Sequence, residues 1–242
     1  MTEHISRKEL KTDEVRDSFM LGAQAVLTHQ KSAVFFLGAC IVILAAVLGW
    51  RLYTERQTVK AAAAYDNAMD AFNARIRTVG EPAADPGETT YVDDKNKFED
   101  AAKKFEAVAR KYPHTRPGQI SAYYAGLSLV KLNRNDEATK WLEQVARSGD
   151  EDFATLAKFE MAQLDDNAGK AADAEKIYQD LMAHPSVFVP KPESMLALAD
   201  HYRAANKNAD AAKIYNQIKA EFPDGPIAQQ AGQDLALLPG QS

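Results

Sequence analysis

Ala174-Glu175-Lys176-Ile177-Tyr178 is followed one period later by Ala211-Ala212-Lys213-Ile214-Tyr215. The same fragment, an alanine with a large apolar residue four positions on, also occurs as Ala101/Phe105 and Ala138/Leu142. The four alanines lie 37, 36 and 37 residues apart, and Pro113, Pro185 and Pro223 close three of the copies. A fixed period of that size predicts one helix pair stacked several times. Such arrays present an extended surface more often than a reaction chamber.

Working outward, helical spacing and breakers predict helices over 94–112, 117–132, 135–147, 151–166, 169–183, 191–205, 208–222 and 226–238. Val187-Phe188-Val189 reads as an extended connector between Ser186 and Pro190. Upstream, residues 54–78 read as a long helix, rich in alanine at 61–64. Residues 79–93, with Gly80, Pro82, Pro86 and Gly87, read as a flexible polar loop without a convincing strand. The array itself is expected over 94–238.

Ala33 to Trp50 is an uncharged run of 18 residues. As a helix it would span about 27 Å, close to the hydrocarbon thickness of a bilayer. Lys31 and Arg51 bracket it, and Trp50 and Tyr53 stand where interfacial aromatics belong. The segment 33–53 is therefore expected to be a transmembrane helix. Its charged approach, with 32 residues before it, is unlike a cleaved signal. Leu37-Gly38-Ala39-Cys40 imitates a lipidation site, but the apolar run continues past Cys40 and speaks against one. Within residues 1–32, Ser6 to Glu9 matches a helix-capping box, and Val15, Phe19, Ala23 and Val26 keep helical spacing.

The chain carries a net charge of -5, with 26% charged and 46% hydrophobic residues. That balance fits a folded array and argues against nucleic acid as the main partner, which needs a basic face. Cys40 is the sole cysteine, so no internal disulfide forms. There is no phosphate-cradling glycine loop, no H-E-x-x-H and no G-x-S-x-G. His4, His29, His114, His184 and His201 are scattered, and no catalytic, cofactor or metal residues are assigned. Asp93-Asp94 and Glu151-Asp152 fall at helix starts and read as caps or first-turn dipole partners; Asp165-Asp166 closes a helix and reads as a solvated face.

At this point the chain resembles the tetratricopeptide repeat proteins. Their pattern places a small residue in the first helix, an aromatic three positions on, and an alanine twelve positions on. Gly126 precedes Ala138 by that interval, Ala162 precedes Ala174, and Ala199 precedes Ala211. Tyr202 fills the aromatic place in the last unit, Leu129 replaces it in the second, and Asp165 departs from it in the third. The small residues suit close helix crossings, while Phe105, Leu142, Tyr178 and Tyr215 fill the space between units. The fold class expected is all-α, a single membrane helix followed by a tetratricopeptide solenoid.

The order of tail, uncleaved anchor, long helix and array is similar to the YfgM-like family, the ancillary subunit of the bacterial SecYEG translocon. That resemblance implies a single-pass protein of the bacterial inner membrane with residues 1–32 in the cytoplasm and the array in the periplasm. It implies protein partners: translocon subunits, periplasmic chaperones or exported chains. The local count of basic residues, Lys31 before the anchor against Arg51, Arg56 and Lys60 after it, points the other way. By resemblance to tetratricopeptide arrays, the concave groove comprises Tyr123, Leu127, Phe159, Gln163, Leu196, Asp200 and Arg203, of which Tyr123, Leu127 and Phe159 suit core packing equally. With Arg203 as the only cation among them, capture of a terminal carboxylate is not expected. The function expected is a membrane-tethered adaptor near the translocon, with an architectural scaffold for cell division or outer-membrane assembly, or a cytoplasm-facing scaffold, as the alternatives.

Overall fold

The computed structural model describes residues 30–78 and 88–239. The helix starts expected in the tail, and residues 79–87 of the segment 79–93, lie outside the described residues. The chain divides into two units, residues 1–56 and 57–242.

The helix α1, Gln30–Asn73, supplies the described part of the first unit. There the large apolar side chains of Leu37, Ile41, Val42, Ile43, Leu44, Val47, Leu48, Trp50, Leu52 and Tyr53 are each 51–69% exposed. This is the one helix among the described residues that is long and apolar enough to cross a membrane. Cys40 is exposed on it.

Within the second unit the same helix has a different composition and a different fate. Ala61, Ala68 and Ala71 are fully buried. They pack with Ala101, Phe105 and Val108 of α2 (Asp94–Lys111) and Ala125 of α3 (Arg116–Lys131). Small side chains let two helices approach closely. Residues 57–73 thus serve as the first helix of a pair completed by α2, and repeat-type packing begins upstream of the expected start at 94. The helix stops at Asn73 rather than at 78. Two short strands follow, β1 (Arg75–Ile76) and β2 (Thr90–Tyr91), paired in parallel with Arg75 opposite Thr90. Arg77 N–H donates to the Tyr91 carbonyl at 2.9 Å, and Arg75 meets Glu88 at 3.2 Å. The insertion read as a loop without strand is therefore tied at its neck.

The remaining helices are α4 (Asn135–Ala146), α5 (Glu151–Asn167), α6 (Ala171–Ala183), α7 (Lys191–Ala204), α8 (Asn208–Glu221) and α9 (Pro226–Ala236). Each packs on the next in the chain, and α3 also touches α5 as α7 touches α9. Side-chain caps start α2, α3 and α5: Asp93 accepts from Asn96 N–H at 2.7 Å, Thr115 from Gly118 N–H at 3.2 Å, and Asp150 from Phe153 N–H at 3.4 Å. Each cap side chain satisfies one otherwise orphaned N–H of the first turn.

The turn inside each of the three later pairs is built the same way. Asn133, Gly169 and Asn206 stand at φ 58°, 74° and 57°. Each lies five residues before its repeat alanine, at a place that requires the left-handed conformation glycine and asparagine tolerate. The next residue then donates back across the turn: Arg134 to Leu129 at 2.9 Å, Lys170 to Asp165 at 2.8 Å, Lys207 to Tyr202 at 2.8 Å. Leu129, Asp165 and Tyr202 hold the repeat's aromatic place, yet this closure uses only their carbonyls. That is why Asp165 does not disrupt the third unit; its side chain pairs with Lys170 at 3.3 Å.

The repeat alanines Ala101, Ala138, Ala162, Ala174, Ala199 and Ala211 are all fully buried. At Gly126 a Cβ would lie 2.9 Å from Leu142 Cγ, so the helix crossing there leaves no room for one. Phe105, Leu142 and Tyr215 are fully buried and Tyr178 is 2% exposed. Tyr202 is half-buried and packs at the edge of two neighbouring clusters.

Candidate protein-binding groove

A cleft of about 620 Å³ opens in the second unit between α5 and α7, bordered by Gln230 of α9. Helical spacing creates it. Phe159, Gln163, Asp166 and Asn167 recur on one face of α5; Glu193, Leu196, Ala197, Asp200 and Ala204 recur on one face of α7. The face of α5 at Ala154, Ala157 and Leu164 is buried in the array instead.

Four groove residues expected from the sequence line this cleft: Phe159, Gln163, Leu196 and Asp200. Phe159 packs edge-on against Tyr178 at 6.0 Å, and Gln163 is exposed. Leu196, 6% exposed, belongs chiefly to the core of the last helices. Tyr123 and Leu127 stand elsewhere. Tyr123 is 6% exposed and meets Phe153 edge-on at 5.7 Å, and both residues pack in the core between α3, α4 and α5. Arg203 is exposed at the rim, with its guanidinium 2.9 Å from Asp200 Oδ1.

The wall contains residues that sequence reasoning passed over. Asp166, read as part of a solvated pair, accepts the Tyr178 hydroxyl at 3.1 Å and contacts His201 Nδ1 at 2.6 Å. His201 is 5% exposed; its Nε2 has no hydrogen-bond partner and lies 4.0 Å from Glu175. Glu175 in turn accepts the Tyr202 hydroxyl at 2.8 Å and faces Lys207 at 3.7 Å. Asp200 accepts the Tyr215 hydroxyl at 2.7 Å. Burial first, and then the neighbouring Asp166 or Asp200 carboxylate, raise the pKa of Tyr178 and Tyr215. Burial and the bond to Glu175 push Tyr202 up to about 12. All three phenols therefore remain protonated donors at neutral pH. The one signal available in sequence was the recurrence of Tyr at Tyr178 and Tyr215: a buried tyrosine hydroxyl needs a partner, and Asp166 and Asp200 stand toward the ends of the preceding helices.

The cleft is a mixed surface of aromatic, aliphatic and carboxylate groups. No group of three or more His, Cys, Asp or Glu among the described residues is placed to hold a metal ion.

The sequence model of the tetratricopeptide repeat-like domain matches residues 28–225, most of the chain. The protein belongs to the tetratricopeptide repeat-like domain family. Repeats of this family are typically protein-interaction scaffolds, stacked units whose stability is local and whose surface is extended. Among solved structures, the nearly identical TPR-like repeats of a putative kinesin light chain from Podosopora anserina match with a TM-score of 0.48 at 18% identity, over 58% of this chain and 76% of that one. None of the curated proteins matches this tetratricopeptide chain.

Proposed function

We propose that the protein is a membrane-anchored tetratricopeptide adaptor that assists protein export or envelope protein biogenesis beside the Sec translocon. Residues 33–53 cross the bacterial inner membrane once, residues 1–32 stay in the cytoplasm, and the array acts in the periplasm. Its partners are proteins: translocon subunits, periplasmic chaperones or exported chains. It works by binding, as an adaptor and not as an enzyme.

The observation that carries this reading is the α5–α7 cleft, in which Phe159 and Leu196 offer apolar surface beside Gln163 and Asp200. A groove of that mixture suits an extended or amphipathic segment of another protein. Anchoring is supported by the exposed apolar face of α1, because large contiguous apolar surfaces mark contacts with membrane or protein. The family match begins at residue 28, ahead of that apolar run, and takes it in as part of the domain. The compartment rests on the YfgM-like order of segments, against the local charge count of Arg51, Arg56 and Lys60.

Two experiments test the proposal. A reporter enzyme fused after Ser242 should be active only outside the cytoplasm; cytoplasmic activity overturns the topology. A photocrosslinking amino acid at Gln163 should yield adducts with translocon subunits or exported chains in cells. Adducts confined to division or outer-membrane machinery would replace the export role with an architectural one.

A further inference from the structure

We propose that the α5–α7 cleft is a receptor for a lysine or arginine side chain, presented by an extended partner segment with apolar residues on either side. This rests on the groove reading above and names the chemistry of the occupant.

Charge is the first argument. Asp166, Glu193 and Asp200 line the cleft, and no lysine or arginine among the described residues lines it. Arg203 at the rim compensates Asp200 in part, through Oδ1 alone. Asp200 Oδ2 accepts no bond, and the Glu193 carboxylate has neither a hydrogen-bond nor an ion-pair partner among the described residues. A carboxylate has about four lone-pair sites, so acceptor capacity remains on both residues. Lys207 is committed to Glu175 and to the face of Tyr202.

Preorganisation is the second. Asp166 is fixed by Tyr178 and His201, and Asp200 by Tyr215 and Arg203. Fixed acceptors need no reorientation when a cation arrives, and partial enclosure strengthens their attraction over its value in bulk water. The polar wall is also not self-sufficient: His201 lines the cleft, is 5% exposed, and leaves Nε2 without a partner.

Shape is the third. Phe159, Leu196 and Ala197 form the apolar part of the wall. The methylene stem of lysine or arginine lies along such surface while its head reaches a polar group. An acidic ligand segment meets only repulsion here. That is the reverse of a carboxylate clamp.

The test uses the full chain in nonionic detergent and three fluorescent nonapeptides of glycine and serine. Their central triplet is leucine–lysine–leucine, or the same with glutamine or with glutamate in the middle. Anisotropy titrations should show the lysine peptide binding about tenfold tighter than the glutamine peptide, with no binding of the glutamate peptide. Glu193→Gln should cut the lysine preference several-fold, and Ala197→Trp, which fills the cleft, should abolish binding of both. Equal affinity for lysine and glutamine peptides, with both lost in Ala197→Trp, overturns the cation preference and leaves the groove standing. An unchanged lysine preference in Glu193→Gln overturns it as well. Binding that survives Ala197→Trp, or no binding of any peptide, overturns the groove together with the preference.

Discussion

The two halves of the array use the same backbone and different glue. Around α2 and α3 the helices are sealed by rings: Phe105 stacks on Tyr124 at 5.3 Å, and Phe72 meets Tyr124 edge-on at 5.4 Å and Phe105 at 6.1 Å. From α5 to α8 the seam is polar, with His201 and Tyr178 on Asp166, Tyr202 on Glu175 and Tyr215 on Asp200. Yet the turns of the second, third and fourth units close with the same left-handed residue and the same return hydrogen bond. The repeat backbone is therefore indifferent to what fills its seams. An apolar seam gains by burial alone, without needing direction. A polar seam gains less per contact but fixes where its carboxylates point, and two of these, Asp166 and Asp200, line the cleft. One half gives the array firmness; the other gives it a directed surface.

The sharpest way to break the first half is Gly118→Ala. A Cβ at Gly118 would lie 1.9 Å from the Tyr112 carbonyl oxygen, which is backbone and cannot rotate away. The start of α3 must shift, and the Thr115 cap with it. The expected loss is about 3 kcal/mol, the upper end of overpacking costs, or a melting temperature lower by about 6–12 °C in thermal circular dichroism. Gly126→Ala tests the same half more gently. Its new methyl meets Leu142 Cγ and Cδ2 at 2.9 Å, and a leucine side chain can give way. A loss of about 1–2 kcal/mol is expected, and Leu142→Ala in the same chain should relieve the clash while opening a cavity, so the pair should be non-additive.

In the second half the corresponding experiment is a double-mutant cycle between Asp166→Asn and His201→Gln. The 2.6 Å contact joins α5 to α7, with His201 buried and Asp166 about a quarter exposed. A coupling of about 1 kcal/mol is expected from chemical denaturation of the full chain. Additive losses would show that the polar seam is decoration on a repeat held by other contacts.

How much of this was legible beforehand follows the same division. The period of the alanines and the small residue twelve positions earlier located the helices to within two residues at almost every end, because close helix crossings demand small side chains wherever they occur. The turns were visible as gaps between the expected helices, but the left-handed conformation shared by Asn133, Gly169 and Asn206 was not, since sequence shows a residue's tolerance rather than its use. Pro117-Gly118 opened the helix expected over 117–132, but nothing local showed that the carbonyl of Tyr112, six residues back on another element, leaves no room for a side chain at Gly118. Of the groove, only the α5 and α7 members coincide in one cleft; Tyr123 went to the core because Phe153 lies against it. The Asp166–His201 contact spans 35 residues, and no local pattern announces a pairing of that range. The pairing of residues 57–73 with α2 was hidden for a related reason, since the insertion 74–93 breaks the period at the point where it would have been read.

Glu160 offers the smallest and most selective probe, because it stands on α5 between the two halves. Burial raises its pKa, opposed by Lys131 on α3, and the carboxylate acts on the hydroxyls of Tyr123 in the first half and Tyr178 in the second. The sign follows from linkage. A carboxyl whose folded value is raised binds its proton more tightly in the folded chain than in the unfolded one. Its contribution to stability is therefore greatest at acid pH and declines as pH climbs from about 4.3, the ordinary carboxyl value, through the raised one. Glu160→Gln keeps the shape and removes the charge. The variant should melt about 1–2 °C above the parent at pH 7 and should coincide with it near pH 4. A variant less stable than the parent at pH 7 would mean that the ionised carboxylate is welcome there. Lys131 would then reach it across the α3–α5 contact, and the boundary between the apolar and polar seams would lie one helix nearer the start of the array.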